Sequence, residues 1–380
     1  MKAKKIVILL ICCLLLAGCP KKRQLDQLGI INARGIDVDE EETIKINFVI
    51  FQFEQQSANL TKIVTGTGKT VNGAMVNANY ETNFLLGSGK IQLDLYGRET
   101  IEQGIRPYLD NLNRDPSTPD TMYLAISDTT AEEMLSVQEQ GISTNIGQFL
   151  HNTIEQSTTA DYVFPRVSMQ KFMLYLMDVG RDPILPIFTL ENETPKITGI
   201  GVLQDDRLVG ELPIEDKYLI NLPLRDLGNE VYELSIPIEP FRKDLEFEKT
   251  KEQNQIDLSL KLLKNKGSTK LINKENLEFE TDITLSADLN EISIYESLDF
   301  KDKAIVKKLE KEIEKTLTKK YENMLTYLQE VNSDVLSYGE SYRAQVSDHR
   351  LKKSEWRKLY PQIDVKFNIN VKLIHTGESF

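Results

Sequence analysis

Leu16-Ala17-Gly18-Cys19 is the run whose residue types and spacing specify a covalent reaction. A thiol stands directly after small residues. Before it come an apolar stretch from Ile6 to Leu16 and three lysines, Lys2, Lys4 and Lys5. That order is the plan of a bacterial secretory signal. The Cys19 sulfur would take a diacylglyceryl group, and cleavage before it would make Cys19 the first mature residue. Each acyl chain buries many methylenes at about 0.8 kcal/mol apiece, so two or three chains hold firmly where one would not. Two other readings use the same residues. As a transmembrane helix, the apolar run at about 1.5 Å per residue reaches roughly 16 Å of a roughly 30 Å hydrocarbon core. An unlipidated secretory signal leaves the position of Cys19 unexplained.

The other chemically suggestive runs are weaker. Gly66-Thr67-Gly68-Lys69-Thr70 resembles the end of a phosphate-binding loop, but the glycine needed earlier is replaced by Ile63. A flexible surface loop is the expectation there. Gly199 and Gly201 flank Ile200 as in a dinucleotide fingerprint, yet Gln204 stands where a third glycine belongs and a hairpin pattern follows. Ser168 and Lys171 have the spacing of a Ser–Lys dyad without its supporting motifs. The acid pairs Asp205-Asp206 and Glu132-Glu133 read as solvated, since adjacent side chains point apart. Trp356, the single tryptophan, is expected to pack an element end with Leu359 and Tyr360. His151, His349 and His375 lie far apart, so no zinc-ligand spacing exists. The expectation is no catalytic residue, no metal, no cofactor, and Cys19 as the lipid attachment site.

Composition narrows the partners. Without Lys2, Lys4 and Lys5 the mature chain has 43 basic and 58 acidic residues, a net charge of −15. Such a surface repels nucleic acid. Lys21, Lys22 and Arg23 are the local exception, placed where they can meet lipid phosphates. Cys12 and Cys13 leave with the signal, so no disulfide can form within the mature chain and packing must supply stability.

The elements that must position these residues follow from periodicity. Ile30 to Val38 and Ile44 to Phe53 read as strands around an acidic turn, Ser57 to Gly68 as a polar stretch, and Thr70 to Tyr80 as a helix. Phe84 to Leu86 with Ile91 to Leu95 is strand-like. Arg98 to Leu112 reads as one helix with an apolar stripe of Ile101, Ile105, Leu109 and Leu112. Met122 to Ile126 is a strand. Thr130 closes the Asp128-Thr129-Thr130 cap of a helix through Val137, with Glu132 and Glu133 in its first turn. Helical patterns cover Ile142 to Ile154 and Val167 to Val179, and Ile184 to Leu190 is a strand. Lys196 to Gly210 is a hairpin turning near Asp205-Asp206. Leu219 to Leu234 is irregular. From Leu245 come alternating segments at Phe247 onward, Gln255 to Leu263, Leu277 to Ser286 and Glu291 to Tyr295. A helix from Asp302 to Val331 and a last strand, Ile363 to Ile374, follow. The fold class expected is mixed α/β and α+β. A signal peptide occupies 1–18 and a tether 19–29. An N-terminal α/β domain spans 30–192, a small β-rich middle domain 195–244, and a C-terminal domain 245–380. The last domain is expected to be an antiparallel sheet packed by the long helix.

Four blocks together resemble a known family. They are the lipobox running into Lys22-Arg23-Gln24-Leu25 and then Gly35-Ile36-Asp37; Arg98 to Asp115; Ile197 to Glu215; and Trp356 to Gly377. These resemble the spore-germination lipoproteins of the Ger(x)C type, the C subunits of nutrient germinant receptors. Pro20 and Lys21 stand where the family usually shows a Trp-Asp pair, and Phe84 to Asp94 lacks the family's usual acid and histidine. The resemblance implies a three-domain, non-enzymatic lipoprotein on the outer face of the inner spore membrane. It would work beside an A subunit and a transporter-like B subunit in nutrient-triggered germination. The residues themselves leave open a solute-binding lipoprotein of a transporter, expected to show two similar lobes around a cleft, and a surface hydrolase.

Overall fold

The long alternating and apolar runs of the first half condense into one mixed sheet. The computed structural model describes residues 28–51, 61–137, 145–158, 164–165, 167–245, 253–294, 298–345 and 351–376. Cys19 and the basic residues beside it lie outside these, as does His349.

β1 (Leu28–Val38) and β2 (Ile44–Phe51) form the expected hairpin, and β3 (Thr61–Gly68) adds to β2 antiparallel. β3 falls where a polar stretch was expected. Its second half reads Thr-Gly-Thr-Gly, and the missing side chains are the reason it fits. α1 (Val71–Tyr80), capped by Thr70, lies directly on the strand. A Cβ on Gly66 would come within 2.0 Å of the Ala74 carbonyl oxygen, and one on Gly68 within 2.7 Å of the Ala74 nitrogen. The run that resembled a phosphate loop is therefore a helix seat. Lys69 donates across it to the Thr43 hydroxyl at 3.2 Å.

β4 (Leu85–Gly87) and β5 (Leu93–Gly97) both run parallel to β1, beside its first and later residues respectively. The helix expected over Arg98 to Leu112 is two, α2 (Arg98–Gln103) and α3 (Arg106–Arg114). Gly104, at φ 110°, breaks the ladder. The apolar stripe survives the break, because Ile101, Ile105, Leu109 and Leu112 are all buried. β6 (Tyr123–Ser127) is followed by α4 (Ala131–Leu135), α5 (Ile146–Thr158) and α6 (Met169–Met177), and then by β7 (Ile184–Glu191). β8 (Thr194–Gln204) and β9 (Arg207–Pro213) complete a nine-stranded sheet ordered β3-β2-β1-β5-β6-β7-β8-β9, with β4 beside β1. Its centre, β1-β5-β6-β7, is parallel, and antiparallel hairpins flank it. One face packs on α4 and α5 through Ala131, Met134, Leu135, Ile146, Leu150 and Ile154.

The second sheet is β10 (Val231–Pro237), β11 (Gln255–Asn273), β12 (Glu278–Ile292) and β13 (Asp364–Leu373), in that order. α7 (Lys217–Asn221) precedes it. α8 (Lys303–Glu330), capped by the Asp302 carboxylate, spans about 42 Å at 1.5 Å per residue. It buries Leu309, Ile313, Leu317, Met324 and Leu328 against the sheet. α9 (Tyr338–Gln345) and α10 (Lys353–Leu359) lead to the last strand. No helix among the described residues is long and apolar enough to cross a membrane.

Two expectations change. The second sheet is not wholly antiparallel, because β12 and β13 are parallel. The intervening α8 carries the chain back along the sheet, and such a return delivers the next strand in the same direction. The strands of 195–244 also form no sheet of their own. The β8–β9 hairpin extends the first sheet and β10 opens the second. Both assignments follow from pairing: β7 already needs an antiparallel neighbour, and β10 alternates buried and exposed residues against β11. The core on the inner face is continuous from α1 through the first sheet to α8 and β13.

Candidate functional site

In open α/β sheets the ligand position is beyond the carboxyl ends of the parallel strands, near helix N-termini. Here the chain's own side chains fill that ground. Asp37, at the end of β1, accepts from the Ala131 and Glu132 amides at 2.8 and 2.9 Å, so a carboxylate already sits on the start of α4. Burial pushes the Asp37 carboxyl up, against the pull of those two amides. Arg98, at the end of β5, donates to Asp128 at 3.0 Å and also pairs with Glu211 on β9. Arg34 and Asp94 form a fully buried pair one layer below, at 2.7 and 2.8 Å, with the Tyr96 hydroxyl donating to the same carboxylate.

The other sequence candidates are dispersed. The Ser168 hydroxyl accepts from the Lys171 amide at 3.4 Å, which makes it the N-cap of α6. His151 packs on Tyr123, and His375 meets Asp288 at 2.7 Å. No group of three or more His, Cys, Asp or Glu among the described residues is placed to hold a metal ion.

The densest polar cluster is one that only Trp356 and Asp205 signalled in the sequence. It joins the two halves of the molecule. Asp182, in the loop before β7, has a side chain only 1% exposed. Arg357 on α10 grips both its oxygens. Asp182 also accepts from the Asp205 amide at 3.1 Å and the Asp334 amide at 2.8 Å. The same guanidinium reaches Asp205 at 3.2 Å, and Lys353 pairs with Asp205 too. Burial works against the Arg357 charge, but Asp182 and Asp205 outweigh it and hold the guanidinium protonated. Asp334 lies behind this layer. One of its oxygens accepts from the Tyr338 amide at 2.9 Å, the other from the Gly339 amide at 2.8 Å and the Trp356 indole at 2.9 Å. Trp356 thus packs an element end, as read from sequence, and also ties it by a hydrogen bond. Asp182 and Asp334 carried no local signal, being single acids in loops whose partners stand far along the chain.

In this cluster both oxygens of Asp182 and both of Asp334 are engaged, so these two carboxylates hold the halves together. A cavity of about 330 Å³ beside it is lined by Lys171, Tyr175, Arg181 and Arg225, with Arg181 over the Tyr175 ring at 4.4 Å and 3.6 Å from Glu340. One titration is expected from the joint. Burial and the Asp182 charge push the Asp334 carboxyl up to about 7, against its three N–H donors. An unfolded aspartate has a pKa of about 3.9. Between these values the fold keeps a proton that the unfolded chain has lost. The Asp334 contribution to stability is therefore present below about pH 4 and declines as pH rises to about 7. Denaturant midpoints from pH 4 to 8 check this: Asp334→Asn should flatten the decline, and parallel curves for variant and parent would count against it.

The described parts of the four sequence blocks meet in three dimensions. Asp37 of the first packs on Gly97, where a Cβ would lie 2.1 Å from its Oδ1, next to Arg98 of the second. Arg98 reaches Glu211 of the third, and the Arg106 amide donates to Asp206 at 2.9 Å. Asp205 of the third meets Arg357 of the fourth. Comparison with known proteins places most of these blocks within two family models. Residues 21–190 match the family model described as the spore germination protein N-terminal domain. Residues 198–377 match the model described as spore germination B3/GerAC like, C-terminal. The chain belongs to the Ger(x)C family of spore germination proteins. Spore germination protein GerQC of Bacillus cereus is 21% identical over 378 residues, covering 98% of this chain and 99% of that relative. YfkR of Bacillus subtilis (strain 168) is 20% identical over 390 residues, covering 95% and 93%. The crystal structure of the GerBC protein superposes with a TM-score of 0.56 at 17% identity, over 92% of this chain and 100% of that one, and shows the same α+β fold. The two Ger(x)C models meet between residues 190 and 198, at the β7–β8 turn, although one sheet runs through that point.

Proposed function

We propose that this chain is the lipid-anchored C subunit of a nutrient germinant receptor. It is held through Cys19 on the outer face of the inner spore membrane, and it works by contact with A and B subunits without turning over a substrate. The observation that carries this reading is family membership across both halves, with the N-terminal match starting two residues after Cys19. The closed ground at the carboxyl ends of the parallel strands supports a contact role, since Asp37 and Arg98 occupy what a solute would need. The solute-binding alternative expects two similar lobes. The two sheets here differ, one centred on parallel strands and the other a four-stranded sheet under α8.

Cys19→Ala is the direct test in the native host. With no acyl chain to bury, at about 0.8 kcal/mol per methylene, the protein is expected to leave the spore membrane fraction. The nutrient response should fall several-fold or more. Immunoblots of fractionated spores and optical-density loss after nutrient addition measure the two effects. A variant that stays membrane-bound and germinates at the parent rate would sink the proposal.

A further inference from the structure

The first described residue, Leu28, stands nine positions after the proposed anchor, and an exposed apolar corner lies beside it. Cys19 and Leu28 are nine residues apart, a reach of at most about 30 Å for extended chain. β1 begins there, and its first residues pair with β4, Leu28 beside Leu85 and Ile30 beside Gly87. The Leu86 amide donates to the Asn79 side chain at 2.9 Å, which ties the end of α1 to the same corner. Tyr80 is 82% exposed, Leu85 44%, and Val76, one turn before Tyr80, 52%. The Lys62 ammonium sits 4.7 Å from the centre of the Phe84 ring. Residues 76–90 contain one acid, Glu81, and one base, Lys90, in a chain whose net charge is −12.

A tyrosine with a free apolar ring, aliphatic neighbours and flanking lysines is the chemistry of a membrane interface. The ring enters the headgroup zone, its hydroxyl stays wet, and the ammonium groups meet phosphate. We propose that this corner of Tyr80, Leu85, Val76 and Lys62 seats on the lipid surface that carries the anchor. The inference rests on the anchored reading above. A patch this small holds no protein on a bilayer alone. A short tether raises its effective concentration to the millimolar range, where weak contact suffices. Seating would fix how the body stands on the membrane, where acyl chains alone fix only its distance.

The test supplies the tether chemically, so its outcome does not depend on native acylation. Cys19 is the only cysteine of the mature chain. The chain from residue 19 is coupled through it to maleimide lipid in phosphatidylcholine–phosphatidylglycerol vesicles with brominated acyl chains. Tyr80→Trp is the reporter, over the constant background of buried Trp356. Ile272→Trp is the control, 59% exposed near the end of β11 in the other sheet. Tyr80→Trp emission is expected to shift to the blue and to be quenched at least about twofold more than the control, as an interfacial indole would be. Adding Leu85→Asp to the reporter should remove the difference while circular dichroism stays unchanged. Equal quenching of the two reporters would overturn the inference and leave the corner to a protein partner. Mass spectrometry of the native amino terminus decides the anchor separately.

Discussion

Arg357→Ala lowers the unfolding free energy by about 3–5 kcal/mol, the cost of leaving a buried charge without its partner. The argument is geometric. The Asp182 carboxylate is 1% exposed, and Arg357 engages both its oxygens. Two backbone amides remain on it after truncation, from Asp205 and Asp334, in place of the guanidinium that held both oxygens. Asp334 stands directly behind, so the uncompensated charge also faces a second carboxyl. The loss should be largest above neutral pH, where Asp334 has released its proton. The double variant Asp182→Asn/Arg357→Met removes both charges at similar volume and should recover most of the loss. Urea unfolding of parent, single and double variants measures it. An Arg357→Ala midpoint within about 1 kcal/mol of the parent, the size of an exposed pair, would contradict the buried-joint account.

Gly339→Ala is expected to cost about 3 kcal/mol, at the upper end of overpacking changes. The loop before β7 and the start of α9 touch backbone to backbone. A Cβ on Gly339 would stand 2.2 Å from the Gly180 Cα and 2.6 Å from the Trp356 indole nitrogen. Neither neighbour is the end of a flexible side chain, so the two halves must separate to admit a methyl group. Separation strains the Gly180 carbonyl bond to the Glu340 amide and the Trp356 bond to Asp334. Gly180→Ala makes the same clash from the other side and adds a positive φ of 94°. Both variants should therefore unfold at lower urea and expose Trp356, shifting its emission to the red before the main transition. Trp356 emission and an unfolding midpoint both unchanged from the parent would refute the contact.

Much of this molecule could be read from local pattern. Alternation marked β1, β2, β8 and β13, and the apolar stripe of α8 runs where its spacing placed it. Thr130 announced its helix by cap chemistry. The failures share a cause. β3 is a strand because a helix needs its bare glycines, a fact of packing and not of propensity. The break at Gly104 hides inside a continuous apolar stripe, since both helices face one core. The joint was the least legible part. Asp182 finds Arg357 across 175 residues and Asp334 across 152, and no window of sequence holds both partners. Trp356 stood out by its rarity alone. Its partner did not.

The parallel pairing of β12 and β13 has a consequence for how the chain is made. β13 closes a sheet against residues 86 positions earlier, so it is made well after the strand it pairs with. Loop closure of that length is slow compared with hairpin formation. Until β13 emerges, β12 therefore waits with one bare edge, paired to β11 but open on the other side, and such an edge is a template for the wrong strand. Emergence of β13 is the step that seals it, so a chain stalled before Asp364 would present a sticky margin to whatever chaperone meets it.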